Sequence, residues 1–253
     1  MPEAGLDGPS EVMAGIALGI EAASDDASVA LLDGERVLAA VRWHITSTAS
    51  RELLAAIDTL LREAGVARDA IVSIAVDVGP GGYGSLRTSV ATAQGLAVAL
   101  DVPLAGVDRL EVAACPHLSP DRAVVAVHDL GRAGIAWTAF APHAGVFTRA
   151  PEPLGPTRID TIEECVRRAP LGAVWCGDLS EPLRAALVGV GGTAAEVAGA
   201  DTAAQSGDTG ARAALDAVDV VRLARARRAY GDAAAVDVTY LRPPSIGARR
   251  ALG

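Results

Sequence analysis

Between an apolar run and a helix rich in small residues lies Val78-Gly79-Pro80-Gly81-Gly82-Tyr83-Gly84-Ser85-Leu86-Arg87. The run before it, Ile71 to Val78, is short and rich in branched side chains, which is typical of a buried strand. After it, apolar residues recur at helical spacing as far as Leu100. Glycines at a turn from strand to helix let backbone amides share a space without side chains. The pattern predicts a loop that binds phosphate, lies against an approaching backbone, or merely turns the chain.

Known nucleotide motifs do not account for this glycine loop. No Gly-Lys-Ser/Thr follows it, as a P-loop requires, and the glycines do not have the GxGxxG spacing of dinucleotide-binding proteins. Strands, helices and turn signals alternate on both sides of it. The predicted strands are Met13–Glu21, Ser28–Leu32, Arg36–Trp43, Leu104–Val107, Ala123–His128, Ile135–Phe140 and Ala173–Cys176. The predicted helices are Ser50–Ala64, Thr161–Arg168, Leu183–Val188 and Ala213–Tyr230.

The residues that follow the loop make it recognisable. They resemble the TsaB (YeaZ) family, whose signature reads roughly GPGSFTGLRxGxATAKGLA and then xxPLxGVSSLEAxA. The matching residues are Gly79-Pro80-Gly81, Leu86-Arg87, Ala91-Thr92-Ala93, Gly95-Leu96-Ala97, Pro103-Leu104, Gly106-Val107 and Leu110-Glu111. Two further segments, Ile20 to Leu31 and Tyr240-Leu241-Arg242-Pro243-Pro244, are similar to the family's IDTSxxxxSVAL and YLRPP.

The resemblance implies an α/β fold of the actin/Hsp70-like (ASKHA) ATPase class, built from two tandem related subdomains. The first subdomain is expected over 12–114 and contains the glycine loop. The second is expected over 115–246, and its low-complexity part, 189–210, is expected to be mobile because it holds mainly Gly, Ala, Thr and Asp.

Several positions depart from the family pattern. Glu21 replaces an aspartate, Ala22 and Ala23 replace Thr-Ser, and Gln94 replaces a lysine. Whether these changes mark a specialised paralogue is open. The candidate nucleotide or phosphate site consists of Gly79, Gly81, Gly82, Gly84 and Glu21. An ATPase of this fold needs such an acidic residue to hold Mg²⁺, although Glu21 can also be read as a polar strand end that faces solvent.

A catalytic centre is not predicted from the remaining residues. The four histidines, His44, His117, His128 and His143, have no metal-ligand spacing and are expected to be surface or internally satisfied side chains. Cys115, Cys165 and Cys176 are odd in number and far apart, which favours buried thiols over disulfides or zinc ligands. We therefore expect no catalytic residue, no metal and no cofactor, with weak ATP or Mg²⁺ binding left open.

The family resemblance implies a function for such a chain. TsaB-like proteins are non-catalytic partners of TsaD in making N6-threonylcarbamoyladenosine (t6A) at position 37 of tRNA, in a complex that can include the ATPase TsaE. A heterodimer with a TsaD-like protein is thus expected, with tRNA reached only through the complex and a homodimer left open. The alternative is an independent ATP-dependent enzyme of the same fold, either sugar-kinase-like or a carbamoyl-type transferase.

Two helical stripes are candidates for the partner interface. One contains Thr88, Ala91, Thr92, Gly95 and Ala99, whose small size would let another helix approach closely. The other contains Leu53, Ile57 and Leu60. Each stripe can equally be the face that packs in the core of the chain itself.

Composition narrows the class of partner and the compartment. The formal net charge of −9 argues against this chain holding a nucleic-acid backbone by itself. The arginines near the end of the last predicted helix, Arg222, Arg225, Arg227 and Arg228, complement the helix dipole or contact an acidic partner or RNA. No apolar run approaches the length of a membrane span, and the amino-terminal residues do not resemble a secretory signal. A cytoplasmic protein is expected.

Overall fold

Two five-stranded sheets form the framework of the protein. A computed structural model describes residues 15–23, 26–45, 49–145, 147, 149–189, 196–197 and 216–241 of the 253-residue chain. The predicted mobile segment, 189–210, lies outside the described residues apart from 189 and 196–197.

The first sheet begins as a meander and continues with parallel strands. Its strands are β1 (Ile16–Glu21), β2 (Asp26–Asp33), β3 (Arg36–His44), β4 (Ile71–Asp77) and β5 (Leu104–Val107). Their order across the sheet is β3-β2-β1-β4-β5, and β2 pairs antiparallel with both β1 and β3. β4 pairs parallel to β1, and β5 pairs parallel to β4. The carboxyl ends of β1 and β4 therefore lie at the same edge.

The second sheet repeats this arrangement. Its strands are β6 (Val124–Asp129), β7 (Ile135–Phe140), β8 (Arg158–Asp160), β9 (Val174–Gly177) and β10 (Glu196–Val197). Their order is β10-β9-β6-β7-β8, in which β6, β7 and β8 are antiparallel and β9 and β10 continue in parallel. Counted from its own first strand, each sheet has the same order and the same strand directions.

Helices cover both outer faces and fill the space between the sheets. They are α1 (Ala49–Ala64), α2 (Tyr83–Leu100), α3 (Arg109–Ala114), α4 (Ile162–Arg168), α5 (Glu181–Gly189) and α6 (Ala217–Arg227). α1 and α2 pack on the outer face of the first sheet, and α4 and α5 pack on the outer face of the second. α3 and α6 lie between the sheets, in a core cluster with residues from both. The result is a five-layer α/β/α/β/α arrangement.

The last helix packs on the sheet that is farther away in sequence. α6 contacts β1, β2, β4 and β5, and its buried side chains include Val220, Val221 and Leu223. The chain after it stays with the first half, because Gly231 exchanges backbone hydrogen bonds with Leu104. Residues 216–241 thus pack with the first sheet, although the sequence places them in a second subdomain over 115–246.

Most of the predicted elements are present, with ends shifted by a few residues. β3 follows β2 through a tight turn in which Gly34 has a φ of +55°, and α1 ends at Gly65, whose φ is +64°. The predicted helix Ala213–Tyr230 is shorter, because the Asp216 side chain caps its start and Arg228 ends it in a left-handed conformation. β8 and α3 were not predicted, since three and six residues are too short to show a periodic pattern.

The cysteines behave as the sequence predicts. Cys115, Cys165 and Cys176 are free and buried, so the prediction of ordinary buried thiols is confirmed. Burial raises the pKa of the Cys115 and Cys165 thiols to about 12. Among the described residues, no helix is long and apolar enough to cross a bilayer.

The close approach of α6 to β1 gives a stability prediction at Gly19. A Cβ on Gly19 would lie 2.2 Å from the Ala217 carbonyl oxygen and 2.8 Å from Val221 Cγ2. We expect Gly19→Ala to lower the free energy of unfolding in urea by about 3 kcal/mol, because the helix must move away from the strand. The matched control is Gly95→Ala, at an exposed helical position where the described residues place no atom within 4 Å of a Cβ, and it should raise the free energy of unfolding by up to ~1 kcal/mol. Equal effects of the two changes would contradict this account of the packing.

Candidate functional site

The glycine loop connects the end of β4 to the start of α2, and the chain's own backbone approaches it closely. Gly79 has a φ of +99°, and a Cβ there would lie 2.8 Å from Leu86 Cδ2 and 3.1 Å from the Thr239 carbonyl oxygen. A Cβ on Gly81 would lie 2.4 Å from the Ala23 carbonyl oxygen. These two glycines are therefore required by the packing of the protein itself.

Several amides of the loop already have partners within the chain. The Gly79 N–H donates to Asp77 Oδ1 at 2.7 Å, and the Gly82 N–H donates to the Ala23 carbonyl oxygen at 2.7 Å. Gly84, in the first turn of α2, is exposed, and no atom of the residues that the structure describes lies within 4 Å of its Cβ position. These contacts explain the loop as a close approach of backbone. A nucleotide or phosphate site at Gly79, Gly81, Gly82, Gly84 and Glu21 stays a prediction.

Glu21 lies in the interior, at the carboxyl end of β1. It is 1% exposed, so its interpretation as a strand end facing solvent is wrong. Its Oε1 accepts hydrogen bonds from Arg109 Nη1 at 3.0 Å and from the Ala23 N–H at 3.3 Å. Because α3 places Arg109 between the sheets, the Glu21 carboxylate, which the sequence offers as a Mg²⁺ ligand, is paired with a cation of the chain itself.

Arg109 is the centre of a buried charge network that joins the two sheets. Its Nη1 lies 3.0 Å from Glu21 Oε1 and 3.6 Å from Asp77 Oδ2, both on the first sheet. Its Nη2 lies 3.9 Å from Asp178 Oδ1, directly after β9 of the second sheet. Asp178 Oδ2 is 2.6 Å from His128 Nδ1, on β6. We call these five residues the Arg109 network.

Burial dominates the electrostatics of this network. It raises the pKa of Glu21 from 4.5 to about 7, against the opposing charge of Arg109. It also raises the pKa of Asp77 from 3.8 to about 8, again against Arg109, and the charge of Glu21 adds to the increase. Burial alone would lower the pKa of Arg109, but its three carboxylate neighbours raise it, so the guanidinium stays charged.

Sequence reasoning found one of the five members of this network, Glu21. His128 is 8% exposed and paired with Asp178, so it is the internally satisfied kind of histidine. Asp77 precedes the glycine loop at the carboxyl end of a parallel strand, where polar groups of an open α/β sheet usually gather. This position is the feature of the sequence that could have identified Asp77 as a member of the network. Arg109 carried no signal, because α3 itself was not predicted.

The two candidate interface stripes have opposite environments. Leu53, Ile57 and Leu60 of α1 are at most 4% exposed and belong to the core on the outer face of the first sheet. Of the two interpretations of this stripe, the structure supports the one in which these residues pack in the core of the chain. On α2 the stripe points outward, since Ala91, Gly95 and Ala99 are exposed and Thr88 and Thr92 are half-buried. Val98, on the same side, is 74% exposed.

The chain's last described segment lies beside the start of α2. The Tyr240 ring stacks on the Tyr83 ring with centroids 5.1 Å apart, and Arg87 Nε donates to the Tyr240 hydroxyl at 2.7 Å. Gln94 Nε2, where the family has a lysine, donates to the carbonyl oxygens of Ala233 and Val236. Tyr240 of the predicted closing motif therefore contacts the helix that follows the glycine loop. Arg242-Pro243-Pro244 lies outside the described residues.

The arginines at the end of α6 contact the chain itself. Arg222 pairs with Asp219 at 3.4 Å, and Arg227 Nη2 lies 2.5 Å from Glu111 Oε1. Arg225 is buried and donates to the carbonyl oxygens of Gly34 and Gly15. These contacts support a structural role for the three side chains.

Comparison with known proteins agrees with the expected resemblance. Residues 44–143 match the family model described as TsaD, tRNA N6-adenosine threonylcarbamoyltransferase. The protein of that name from Nitratidesulfovibrio vulgaris (strain DP4) is 37% identical over 110 residues, which cover 38% of this chain and 30% of that protein. The one from Herminiimonas arsenicoxydans is 35% identical over 112 residues, covering 38% and 33%. The chain thus spans about a third of the curated relatives it matches.

A solved structure matches nearly the whole chain. YeaZ from Pseudomonas aeruginosa superposes with a TM-score of 0.68 at 22% identity, covering 90% of this chain and 100% of that one. A second structure, of an uncharacterised protein with similarity to peptidase YeaZ from the same organism, gives 0.68 at 23% identity. The resemblance predicted from the glycine loop is confirmed: the fold is that of YeaZ, and the region that matches the TsaD model includes the loop.

The Arg109 network gives a prediction for stability. We expect Arg109→Met to lower the free energy of unfolding by about 3 to 5 kcal/mol, because the change leaves buried carboxylates without their cation. The control is Arg62→Met, which removes an exposed ion pair with Asp58 and should cost at most about 1 kcal/mol. Urea denaturation measures both. A loss for Arg109→Met as small as the control's would contradict the central role of Arg109.

The raised carboxyl pKa values give a prediction for pH dependence. A carboxyl group whose pKa is higher in the folded chain binds its proton more tightly there, so stability falls as the pH rises. For Asp77 this window runs from its ordinary value of 3.8 to about 8. We expect the free energy of unfolding to fall between about pH 5 and pH 8, and Asp77→Asn to reduce that slope by at most about 1.4 kcal/mol per pH unit.

The control for this experiment is Asp58→Asn, at an exposed carboxylate on α1. It should leave the slope unchanged. If Asp77→Asn leaves the slope unchanged as well, Asp77 does not take up a proton in the folded chain over this range.

Proposed function

We propose that this chain is the non-catalytic dimerisation subunit of a complex that makes t6A at position 37 of tRNA, and that it works by binding a TsaD-like catalytic protein. The observation that carries the proposal is the exposed small-residue face of α2, at Ala91, Gly95 and Ala99, on a chain with the fold of YeaZ. The match of residues 44–143 to the TsaD family model supports the same pathway. tRNA is then reached through the complex, which a TsaE-like ATPase can join.

The duplicated sheets support the ASKHA-like part of the proposal. Each sheet has the same strand order and directions, as expected for two related halves of an actin/Hsp70-like ATPase fold. In this proposal the fold serves as a rigid support for α2. The alternative, an independent ATP-dependent enzyme, is not favoured by the contacts of its key groups. Glu21 is paired with Arg109, and Gly79 and Gly82 donate within the chain.

The geometry of α2 suits helix-to-helix contact. Residues every fourth position along a helix form one ridge, and small side chains there allow a second helix to come close. Within 4 Å of the Cβ position of Gly95 there is no atom of the described residues, so these residues leave room for a close approach. Since the leucine stripe of α1 lies in the core, the interface in this proposal rests on α2 alone among the predicted stripes.

A charge on this face tests the proposal. We expect Ala91→Glu to weaken binding to the TsaD-like protein of the same genome by about 100-fold or more, because a carboxylate would be buried without a partner. Threonylcarbamoylation of tRNA by the mixture should fall with it. Co-expression followed by size-exclusion chromatography with light scattering measures complex formation, and circular dichroism checks folding.

The matched control is Ala185→Glu, the same change at an exposed position of α5 on the far side of the second sheet. It should bind as the unmodified chain does. If Ala91→Glu also forms the complex normally, the interface does not lie on α2. If the unmodified chain forms no complex and hydrolyses ATP by itself, the enzyme alternative replaces the proposal.

A further inference from the structure

The two sheets contribute equivalent positions to the Arg109 network. Glu21 and Asp77 directly follow the last residues that pair between β1 and β4 in the first sheet. His128 and Asp178 directly follow the last residues that pair between β6 and β9 in the second sheet. Because both pairs of strands are parallel, each sheet ends its central strands in two polar side chains at the same edge. The two edges face each other across Arg109.

The carboxyl ends of parallel strands are the place where open α/β sheets bind their ligands. An ATPase of the ASKHA class would hold Mg²⁺ and nucleotide phosphates in this crevice, through carboxylate oxygens. The residues of this chain do not fit that use. Glu21 accepts a hydrogen bond from Arg109 instead, and the amides of Gly79 and Gly82 donate within the chain. Among the described residues, no group of three or more His, Cys, Asp and Glu side chains is placed to hold a metal ion.

The backbone and the side chain of Arg109 are both fixed in this crevice. Its N–H donates to the carbonyl oxygen of Gly79 at 2.8 Å, which fastens the start of α3 to the glycine loop. The Asp108 side chain caps the same helix by accepting from two of its amides. The guanidinium donates to Glu21 Oε1 at 3.0 Å. The positive charge is therefore built into the crevice by the fold.

One carboxylate oxygen beside this charge accepts no hydrogen bond. Asp77 is 0% exposed, and its Oδ2 has no hydrogen-bond donor among the described residues, although Arg109 Nη1 lies 3.6 Å away. Its Oδ1 accepts from the Gly79 N–H at 2.7 Å, which fixes the carboxylate. A buried acceptor without a donor is costly, and a carboxylate oxygen is the ligand that Mg²⁺ and Ca²⁺ prefer. The crevice thus has the ligands of a cation site, with a guanidinium among them.

We propose that the Arg109 guanidinium takes the place of a divalent cation in this crevice, so that the unmodified chain holds neither Mg²⁺ nor nucleotide phosphates there. Glu21, Asp77 and Asp178 are then the ligands of a latent site, which Mg²⁺ or Mn²⁺ can enter once the guanidinium is removed. The two halves of the fold are joined by a cation of the chain itself and need no ligand to stay closed. The inference goes beyond the proposed function, because it holds whether or not the chain binds a TsaD-like protein.

The experiment titrates Mn²⁺ into Arg109→Ala and into the unmodified chain, and follows binding by calorimetry and electron paramagnetic resonance. We expect Arg109→Ala to bind Mn²⁺ at least about 10-fold more tightly, because the small side chain leaves room for a hydrated ion among the carboxylates. Its melting temperature should rise with the concentration of Mn²⁺ or Mg²⁺, because an ion that binds only the folded chain stabilises it. The unmodified chain should show no such rise, with Mg²⁺ alone or with Mg²⁺ and ATP.

A second variant covers the stability that Arg109→Ala loses. Arg109→Ala combined with Glu21→Gln has one buried negative charge fewer and keeps two carboxylate ligands, so it should fold more readily. It should bind Mn²⁺ more weakly than Arg109→Ala but more tightly than the unmodified chain. An Arg109→Ala chain that refolds only when Mg²⁺ is present would support the inference as well, because binding energy then contributes to folding.

Three controls separate a cation site from a general effect of mutation. Arg225→Ala removes another buried arginine, one that donates to the carbonyl oxygens of Gly15 and Gly34, and it should gain no Mn²⁺ binding. Arg109→Lys keeps the positive charge and should continue to exclude Mn²⁺. Asp77→Asn added to Arg109→Ala should remove most of the affinity gained, because the amide has lost the charge of that ligand.

Two results would overturn the inference. If folded Arg109→Ala binds Mn²⁺ no more tightly than Arg225→Ala does, the network is a structural group of ion pairs and not a cation site. If Mg²⁺ and ATP stabilise the unmodified chain and Asp77→Asn abolishes that effect, Arg109 does not keep the ion out, and the enzyme alternative is favoured. Binding of a TsaD-like protein is tested separately by Ala91→Glu, so the failure of one proposal is distinguishable from the failure of the other.

Discussion

The buried contact between Arg109 and the carboxylates of both sheets is the interaction on which the arrangement of the molecule depends. Removing charges from water costs several kcal/mol per ion, so such a network contributes less net stability than its ion pairs suggest. The network is important because its charges are paired only when the two sheets have this relative arrangement. Arg109 donates a hydrogen bond to Glu21 and lies 3.6 Å from Asp77 of the first sheet and 3.9 Å from Asp178 of the second. A different arrangement of the sheets would separate these buried charges.

The position of Arg109 follows from the layers. α3 and α6 lie between the sheets, so the chain crosses to the second sheet and returns before it ends. The return brings Tyr240 to the start of α2, more than 150 residues away from Arg87 in sequence. Both ends of the described chain therefore support the first sheet. The outer layer on that side, α1 and α2, packs on the core of the first sheet, and one face of α2 is exposed in the described part of the chain.

Most of the elements and the α/β class could be predicted from the sequence, because the periodic patterns of the longer strands and helices are clear and the glycine loop is specific. The sequence was less informative about the contacts between elements that are far apart in the chain. The stripes at Leu53 and Ala91 have the same helical spacing, and only the structure distinguishes the buried one from the exposed one. Arg109, the charged partner of Glu21, is 88 positions away in sequence and lies on a short helix with no periodic signal.

The glycine loop shows why a motif and its function must be argued separately. Gly79 and Gly81 are required because Thr239 and Ala23 approach too closely for a Cβ. A loop that first suggests a phosphate is thus explained by backbone packing. The same packing fixes where α2 begins, and so places Tyr83 and Arg87 at the exposed start of that helix. In this chain the loop's glycines thus determine where α2 lies, and with it the exposed face of that helix.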